Sequence, residues 1–126
     1  MRNAKPPWTA ALATATALCA LLLSGAARPA GGGAYRHEQA ANGQFVYIQY
    51  CLKCHGAHLE GGAGPPLQGA LFGASLANGK MTLPALFTFV RGSMPMDAPG
   101  SLSDKQYLDV LAYLLSKNGY PAAATR

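Results

Sequence analysis

The chain has little cysteine, and this shortage restricts the chemistry of the cysteines it does have. Of its three cysteines, Cys51 and Cys54 form a pair, while Cys19 lies far upstream in an apolar run. A structural zinc site needs four ligands and usually a second pair, so the composition disfavours zinc. A thioredoxin-like redox site would lie among alternating strands and helices, and no strand pattern flanks the pair. The pair therefore needs another explanation.

Acidic residues are scarce as well. Five Asp and Glu stand against ten Lys and Arg, which gives a formal net charge of +5. The basic residues are spread along the chain and do not cluster, so the pattern is not that of a nucleic-acid-binding protein. A mild positive surplus can still steer docking onto an acidic partner surface.

The N-terminal part has the order of a secretory signal peptide. Two basic residues precede an uncharged Ala- and Leu-rich run over residues 8–23, and small residues follow at 24–27. This order predicts a signal peptide over residues 1–27 and export to the periplasm. A spanning helix needs about 20 apolar residues, so a membrane anchor is the alternative, and membrane association is expected only if the segment is retained. Cleavage would lower the formal charge to +3.

The remaining chain divides into three parts. Residues 28–34 are rich in Pro, Gly and Ala and predict a flexible tail. Residues 35–121 form the predicted domain, and residues 122–126 form a short C-terminal tail. One domain is the expected number for a chain of this length.

Helical periodicity dominates the predicted domain, which indicates an all-α fold. A first helix is predicted over residues 35–50, where Gly43 indicates that another helix approaches closely. A short helix is predicted over residues 83–91 with Thr82 as its N-cap. The last helix begins after Ser103, which forms a capping box with the glutamine three positions further on.

Residues 56–75 interrupt this periodicity. Their many glycines and prolines predict an ordered loop or a pair of turns. The loop also carries apolar residues, among them Leu67, so it is expected to wrap an apolar surface.

The segment 51–55 reads Cys-Leu-Lys-Cys-His. Two cysteines two residues apart, with a histidine directly after the second, are typical of covalent attachment of a c-type haem. Each thiol of Cys51 and Cys54 would bind one vinyl group, and His55 would be an axial ligand of the iron. The apolar surface that the loop wraps is then the face of the haem.

A second axial ligand is expected from a methionine. Met94 and Met96 lie in an irregular segment between two predicted helices, where a loop can bring a thioether to the iron. Histidine and methionine ligation raises the reduction potential of a haem. The sequence pattern does not decide whether Met94 or Met96 is this ligand.

Four motifs in this order give the chain a resemblance to class I c-type cytochromes. They are Cys-Leu-Lys-Cys-His-Gly at 51–56, Gly-Pro-Pro-Leu-Gln-Gly at 64–69, Met-Pro at 94–95, and Leu-Ser-Asp at 102–104 opening a helix with Ala-Tyr-Leu. The resemblance spans about residues 36–121. It implies the cytochrome c fold, with three to five short helices and Gly/Pro-rich loops wrapped around one covalent haem c.

The resemblance also implies roles for particular residues. The carbonyl of Pro65 is expected to accept a hydrogen bond from the ring of His55. The Met-Pro order favours Met94 as the distal ligand. Tyr113 of the last helix is expected to pack on Gly43 of the first. Trp8 is the only tryptophan, so no tryptophan of the expected domain can bond to a haem propionate.

Two function classes agree with these features. A closed coordination sphere favours a one-electron carrier, and the alternative is a haem enzyme or gas sensor with a displaceable methionine. Weaker similarities over residues 56–62, 98–104 and 118–121 make the chain resemble cytochrome subunits of periplasmic dehydrogenases, including quinoprotein ones. They imply such a dehydrogenase as electron donor, and an oxidase or another cytochrome of the respiratory chain as acceptor.

Overall fold

A computed structural model describes residues 33–124. The predicted signal peptide over residues 1–27 and most of the predicted tail lie outside these residues. Within them the chain is helical and contains no β-strand. The helices are α1 His37–Tyr50, α2 Leu52–His55, α3 Ala70–Ala77, α4 Leu83–Ser93 and α5 Asp104–Lys117. The prediction of an all-α fold with three to five short helices is confirmed.

Helices α1 and α5 pack directly against each other at Gly43. A methyl group added to Gly43 would overlap the backbone carbonyl of Asp109 and would also crowd the amide of Val110. The close approach predicted at this glycine is therefore present. The three atoms nearest to this methyl group belong to the backbone of α5 at Asp109 and Val110, while the expected packing of Tyr113 on Gly43 stays a prediction. Tyr113 lies one turn further on, where its ring is 5.4 Å from that of Tyr47.

Helix α5 has the caps that the sequence predicts. The Ser103 side chain accepts a hydrogen bond from the Gln106 amide, and the Gln106 side chain accepts one from the Ser103 amide at 2.9 Å. Helix α5 is buried on every side over residues 109–115, and it supplies the largest part of the core. The buried residues are Tyr107, Asp109, Val110, Leu111, Ala112, Tyr113, Leu114 and Leu115.

Helix α4 also begins where the sequence places it. The Thr82 side chain accepts a hydrogen bond from the Ala85 amide, as an N-cap does. The helix continues to Ser93, two residues beyond the predicted end. Its C-cap is Met94, so the methionine segment starts directly at the end of a regular element.

Helix α3 was not predicted, because residues 56–75 were expected to lack regular structure. The loop ends at Gly69, and the helix starts at Ala70. Gly69 has a φ of 88°, which glycine adopts readily, and its carbonyl accepts the amide of Gly73 at 2.9 Å. Gly73 lies within the helix and weakens it without ending it.

The first helix begins two residues later than predicted, and the preceding Tyr35 contacts the C-terminal segment. Its buried hydroxyl donates to the carbonyl of Tyr120 at 2.8 Å, and its carbonyl accepts from the amide of Ala123 at 2.7 Å. The contacts of the domain thus reach past residue 121. Within residues 33–124, no helix is both long enough and apolar enough to cross a bilayer.

Candidate haem site

The two cysteines lie on one short turn of helix at the end of α1. Cys51 is the C-cap of α1 and also the N-cap of α2. Its carbonyl accepts the amides of Cys54 at 3.1 Å and of His55 at 3.0 Å. Residues three apart on a helical turn share a face, so both sulfurs can reach one flat ligand. Both thiols are free and half-buried.

Burial affects the acidity of the first thiol. Removal of Cys51 from water, and then the charge of Cys54, raise the pKa of the Cys51 thiol to about 11. Before haem attachment this side chain therefore stays a neutral thiol at pH 7.

The ring of His55 is buried and fixed in one orientation. Its Nδ1 lies 2.7 Å from the carbonyl oxygen of Pro65, and the ring is 8 % exposed. A carbonyl can only accept a hydrogen bond, so Nδ1 is the donor, and in the neutral imidazole the lone pair is then on Nε2. That lone pair is the form in which histidine binds a metal.

Gly64 forms the surface against which the His55 ring lies. A Cβ at this position would come within 2.8 Å of the ring Cε1 and 3.0 Å of Nδ1. The amide of Gly64 donates to the carbonyl of Cys54 at 2.8 Å, so the loop is tied back to the cysteine turn. The sequence placed Gly64 in the motif at 64–69 but did not indicate this role. Its position directly before two prolines was the available signal.

The same loop is held at Leu67 by α5. The amide of Leu67 donates to the carbonyl of Leu59 at 2.9 Å, and its half-buried side chain packs against the core. The side-chain amide of Asn118 donates to the Leu67 carbonyl at 3.0 Å, and its oxygen accepts the Gly69 amide at 3.1 Å. Sequence reasoning missed this role of Asn118, because the contact spans 51 residues.

Tyr47 of α1 holds the end of the cysteine turn. Its hydroxyl donates to the carbonyl of Gly56 at 2.6 Å, and its side chain is 1 % exposed. Burial, and then the charge of Cys51, raise the pKa of the Tyr47 phenol, so it remains a neutral donor.

The structure distinguishes the two candidate methionines. Met94 is half-buried, its amide donates to the Val90 carbonyl at 2.9 Å, and its carbonyl accepts the Tyr107 hydroxyl at 2.7 Å. Pro95 after it is buried. Met96 is 76 % exposed.

An ion pair joins the methionine segment to the cysteine turn. Lys53, between the two cysteines, lies 2.9 Å from Asp97, three residues after Met94. The hydrogen bond, and then the attraction between the charges, raise the pKa of Lys53 and lower the pKa of Asp97. This contact brings the two segments that carry the candidate ligands to the same part of the molecule.

These residues fit a covalently attached haem. Two thiols share one helical turn, the next residue is a histidine with an available Nε2, and a glycine leaves room beside its ring. An all-α fold around such a site defines a class I c-type cytochrome.

The family assignment rests on most of the domain. The family model described as "Cytochrome C oxidase, cbb3-type, subunit III" matches residues 38–114, more than half of the chain. The chain belongs to this family. Its cytochrome c domain binds covalent haem c with iron and serves haem-based electron transfer. Searches of curated proteins and of solved structures returned no match.

Proposed function

We propose that this cytochrome is a periplasmic one-electron carrier that takes electrons from a periplasmic dehydrogenase and passes them to the respiratory chain. Its acceptor is an oxidase or another cytochrome. The name of the matched family, which is that of an oxidase subunit, favours the oxidase. The N-terminal sequence pattern supports localisation in the periplasm.

The observation that carries the proposal is the hydrogen bond from His55 to Pro65. It fixes the imidazole with Nε2 available, directly after two thiols on one helical turn. In the proposed site, Cys51 and Cys54 form the thioethers and His55 is the proximal ligand. A bound haem supplies an iron that changes between the ferric and ferrous states. The protein supplies ligands whose positions are already set, which keeps reorganisation small.

Leu67 and Met94 complete the proposed site. Leu67 contributes apolar contact from a loop that is hydrogen-bonded at both ends. Met94 is the proposed distal ligand because its backbone is anchored on both sides, whereas the side chain of Met96 is mostly in solvent. A thioether from Met94 would close the second axial position and leave no open site for a substrate. This supports an electron carrier over a haem enzyme or a gas sensor.

The surface around the site suits brief contact with a partner. Met96 is exposed, and Asp97 beside it is paired with Lys53 of the cysteine turn. Small redox interfaces bind weakly and transiently, which allows fast turnover of partners. The mild positive charge of the processed chain favours an acidic face on the partner.

Spectra of the purified protein in both oxidation states test the proposal. A pyridine haemochrome of the c type establishes two thioether bonds. The weak far-red band of the ferric protein reports methionine bound to iron, and we expect Met94→Ala to abolish it while Met96→Ala keeps it. Rapid binding of carbon monoxide to the untreated ferrous protein would instead favour the sensor or enzyme.

Partner and localisation need separate tests. We expect the haem-loaded protein in the periplasmic fraction, with its N-terminus near residue 28. Stopped-flow mixing with a reduced periplasmic dehydrogenase should reduce the cytochrome at a rate that falls as salt is added. A rate independent of salt would contradict charge-steered docking.

A further inference from the structure

The hydroxyl of Tyr107 is buried in the core, next to the segment that carries the proposed distal ligand. Tyr107 lies on the first turns of α5, and its side chain is 1 % exposed. The hydroxyl donates to the carbonyl of Met94 at 2.7 Å and accepts a longer bond, 3.4 Å, from the amide of Leu102. One phenol oxygen thus contacts both ends of the segment 94–102.

Within residues 33–124, three side-chain contacts hold this segment or join its two flanks, and they differ in burial. Lys53 with Asp97 and Arg91 with Asp104 are ion pairs between exposed side chains, which solvent and salt weaken. The Tyr107 hydroxyl lies in the protein core, where a hydrogen bond is screened less. Of the three, only Tyr107 bonds to Met94 itself.

The bond leaves Met94 with little backbone freedom. The Met94 amide is bonded to the Val90 carbonyl, its carbonyl is bonded to Tyr107, and the next residue is a buried proline. These contacts restrain the Met94 backbone on both sides. The position from which its thioether extends is therefore set by α4 on one side and by α5 on the other.

We infer that Tyr107 is a positioning residue for the distal methionine, which holds the Met94 thioether in place for the iron through the Met94 carbonyl. This inference rests on the proposed role of Met94 as distal ligand. Without the hydroxyl, the Met94 carbonyl and the Leu102 amide would lose their partner, and the segment would open more often. Opening of the segment would leave the axial position free to bind an added ligand.

The test is Tyr107→Phe in the haem-loaded protein, because this change removes the hydroxyl and keeps the ring. We expect carbon monoxide to bind the ferrous protein about tenfold faster, the size expected for one buried hydrogen bond. The far-red band of the ferric protein should also disappear at a lower temperature than in the unchanged protein, and the midpoint potential should fall.

The matched control is Tyr35→Phe. Tyr35 is also buried and also donates to a backbone carbonyl, that of Tyr120 at 2.8 Å, on a separate part of the core. Its removal should leave carbon monoxide binding and the far-red band unchanged. Equal effects of the two variants, or no effect of Tyr107→Phe, would overturn the inference.

Two further measurements separate the possible failures. A far-red band that survives in Met94→Ala would refute the proposed ligand, whatever Tyr107→Phe does. If Tyr107→Phe does not accumulate as folded protein, the unchanged protein with ¹³C at the Met94 carbonyl can be measured in H₂O and D₂O. Exchange of the phenol proton should shift that resonance, and an unchanged resonance would overturn the inference.

Discussion

Nδ1 of His55 and the carbonyl oxygen of Pro65 lie 2.7 Å apart, and this contact fixes the tautomer of the histidine. The proton belongs on Nδ1 because a carbonyl has none to give, so Nε2 is free to bind iron. A hydrogen bond of this kind also makes the imidazole a stronger donor to a metal. Several consequences of the surrounding contacts can be measured.

Gly64→Ala should disturb this contact. The added Cβ would come within 2.8 Å of the His55 ring, so the ring must move away from Pro65. A weaker hydrogen bond makes His55 a poorer electron donor, which should raise the midpoint potential in a redox titration. Gly73→Ala is the control, because nothing lies within 4 Å of its Cβ position. Equal potentials in the two variants would contradict the geometry at Gly64.

Gly43→Ala should destabilise the contact between α1 and α5. The new methyl group would overlap the backbone of Asp109, which cannot move without shifting α5. We expect the free energy of unfolding of the haem-loaded protein to fall by about 2 kcal/mol, the middle of the range for overpacking. Denaturant unfolding followed by circular dichroism measures it.

The control for this change is Gly92→Ala. Gly92 lies within α4, and its Cβ position is open. The same substitution should therefore stabilise the protein by about 0.5–1 kcal/mol through helix propensity. A gain in both variants would mean that the two helices are further apart than the structure has them.

Asp97→Asn should change how stability depends on pH. The pKa of Asp97 is lowered by its hydrogen bond to Lys53 and by the charge of that residue. The contribution of the pair is therefore present at neutral pH and is lost as the pH falls below the ordinary aspartate value of 3.8. The raised pKa of Lys53 means that the contribution is also lost at high pH, above the ordinary lysine value of 10.5.

The measurement is the free energy of unfolding of both proteins across the pH range. The free energy of unfolding of the unchanged protein should exceed that of Asp97→Asn around neutral pH, and the two values should converge at acidic pH. Because both side chains are exposed, added salt should also reduce the difference. A difference that persists at pH 2 would show that the ion pair is not its cause.

Asn118→Ala should loosen the loop that carries Leu67. The side chain makes two hydrogen bonds to this loop, to the Leu67 carbonyl and from the Gly69 amide. Loss of these two bonds should lower the free energy of unfolding by about 1–2 kcal/mol and speed hydrogen exchange at the Leu67 amide. Asn78→Ala is the control, because Asn78 also caps a helix but bonds only locally, to the amide of Lys80. Unchanged exchange at Leu67 in Asn118→Ala would contradict this role.

Local rules predicted the helices whose ends carry side-chain caps. Thr82 and Ser103 both accept hydrogen bonds from amides three residues ahead, and such contacts need only adjacent residues. Helix α3 was missed for the same reason, because its N-cap Gly69 offers no side-chain signal. Local sequence cannot distinguish a glycine that ends a loop from one that continues it.

Contacts between residues far apart in the sequence could not be predicted as well. Gly43 indicated a close approach, but the sequence did not show that the nearest atoms are those of the Asp109 backbone or that Tyr113 contacts Tyr47. The register of two crossing helices depends on how all their side chains pack, which no short segment encodes. The structure brings His55 and Pro65 together. The roles assigned to the predicted site residues stay predictions.

The sequence by itself determined the all-α class and the chemistry of the site, because the spacing of Cys51, Cys54 and His55 is a property of one short segment. Only the tertiary structure decided what holds the site in place. The bonds from Tyr107 to Met94 and from Asn118 to Leu67 join residues 13 and 51 positions apart. Such bonds exist only after the core has packed, since packing alone brings their donors and acceptors within reach.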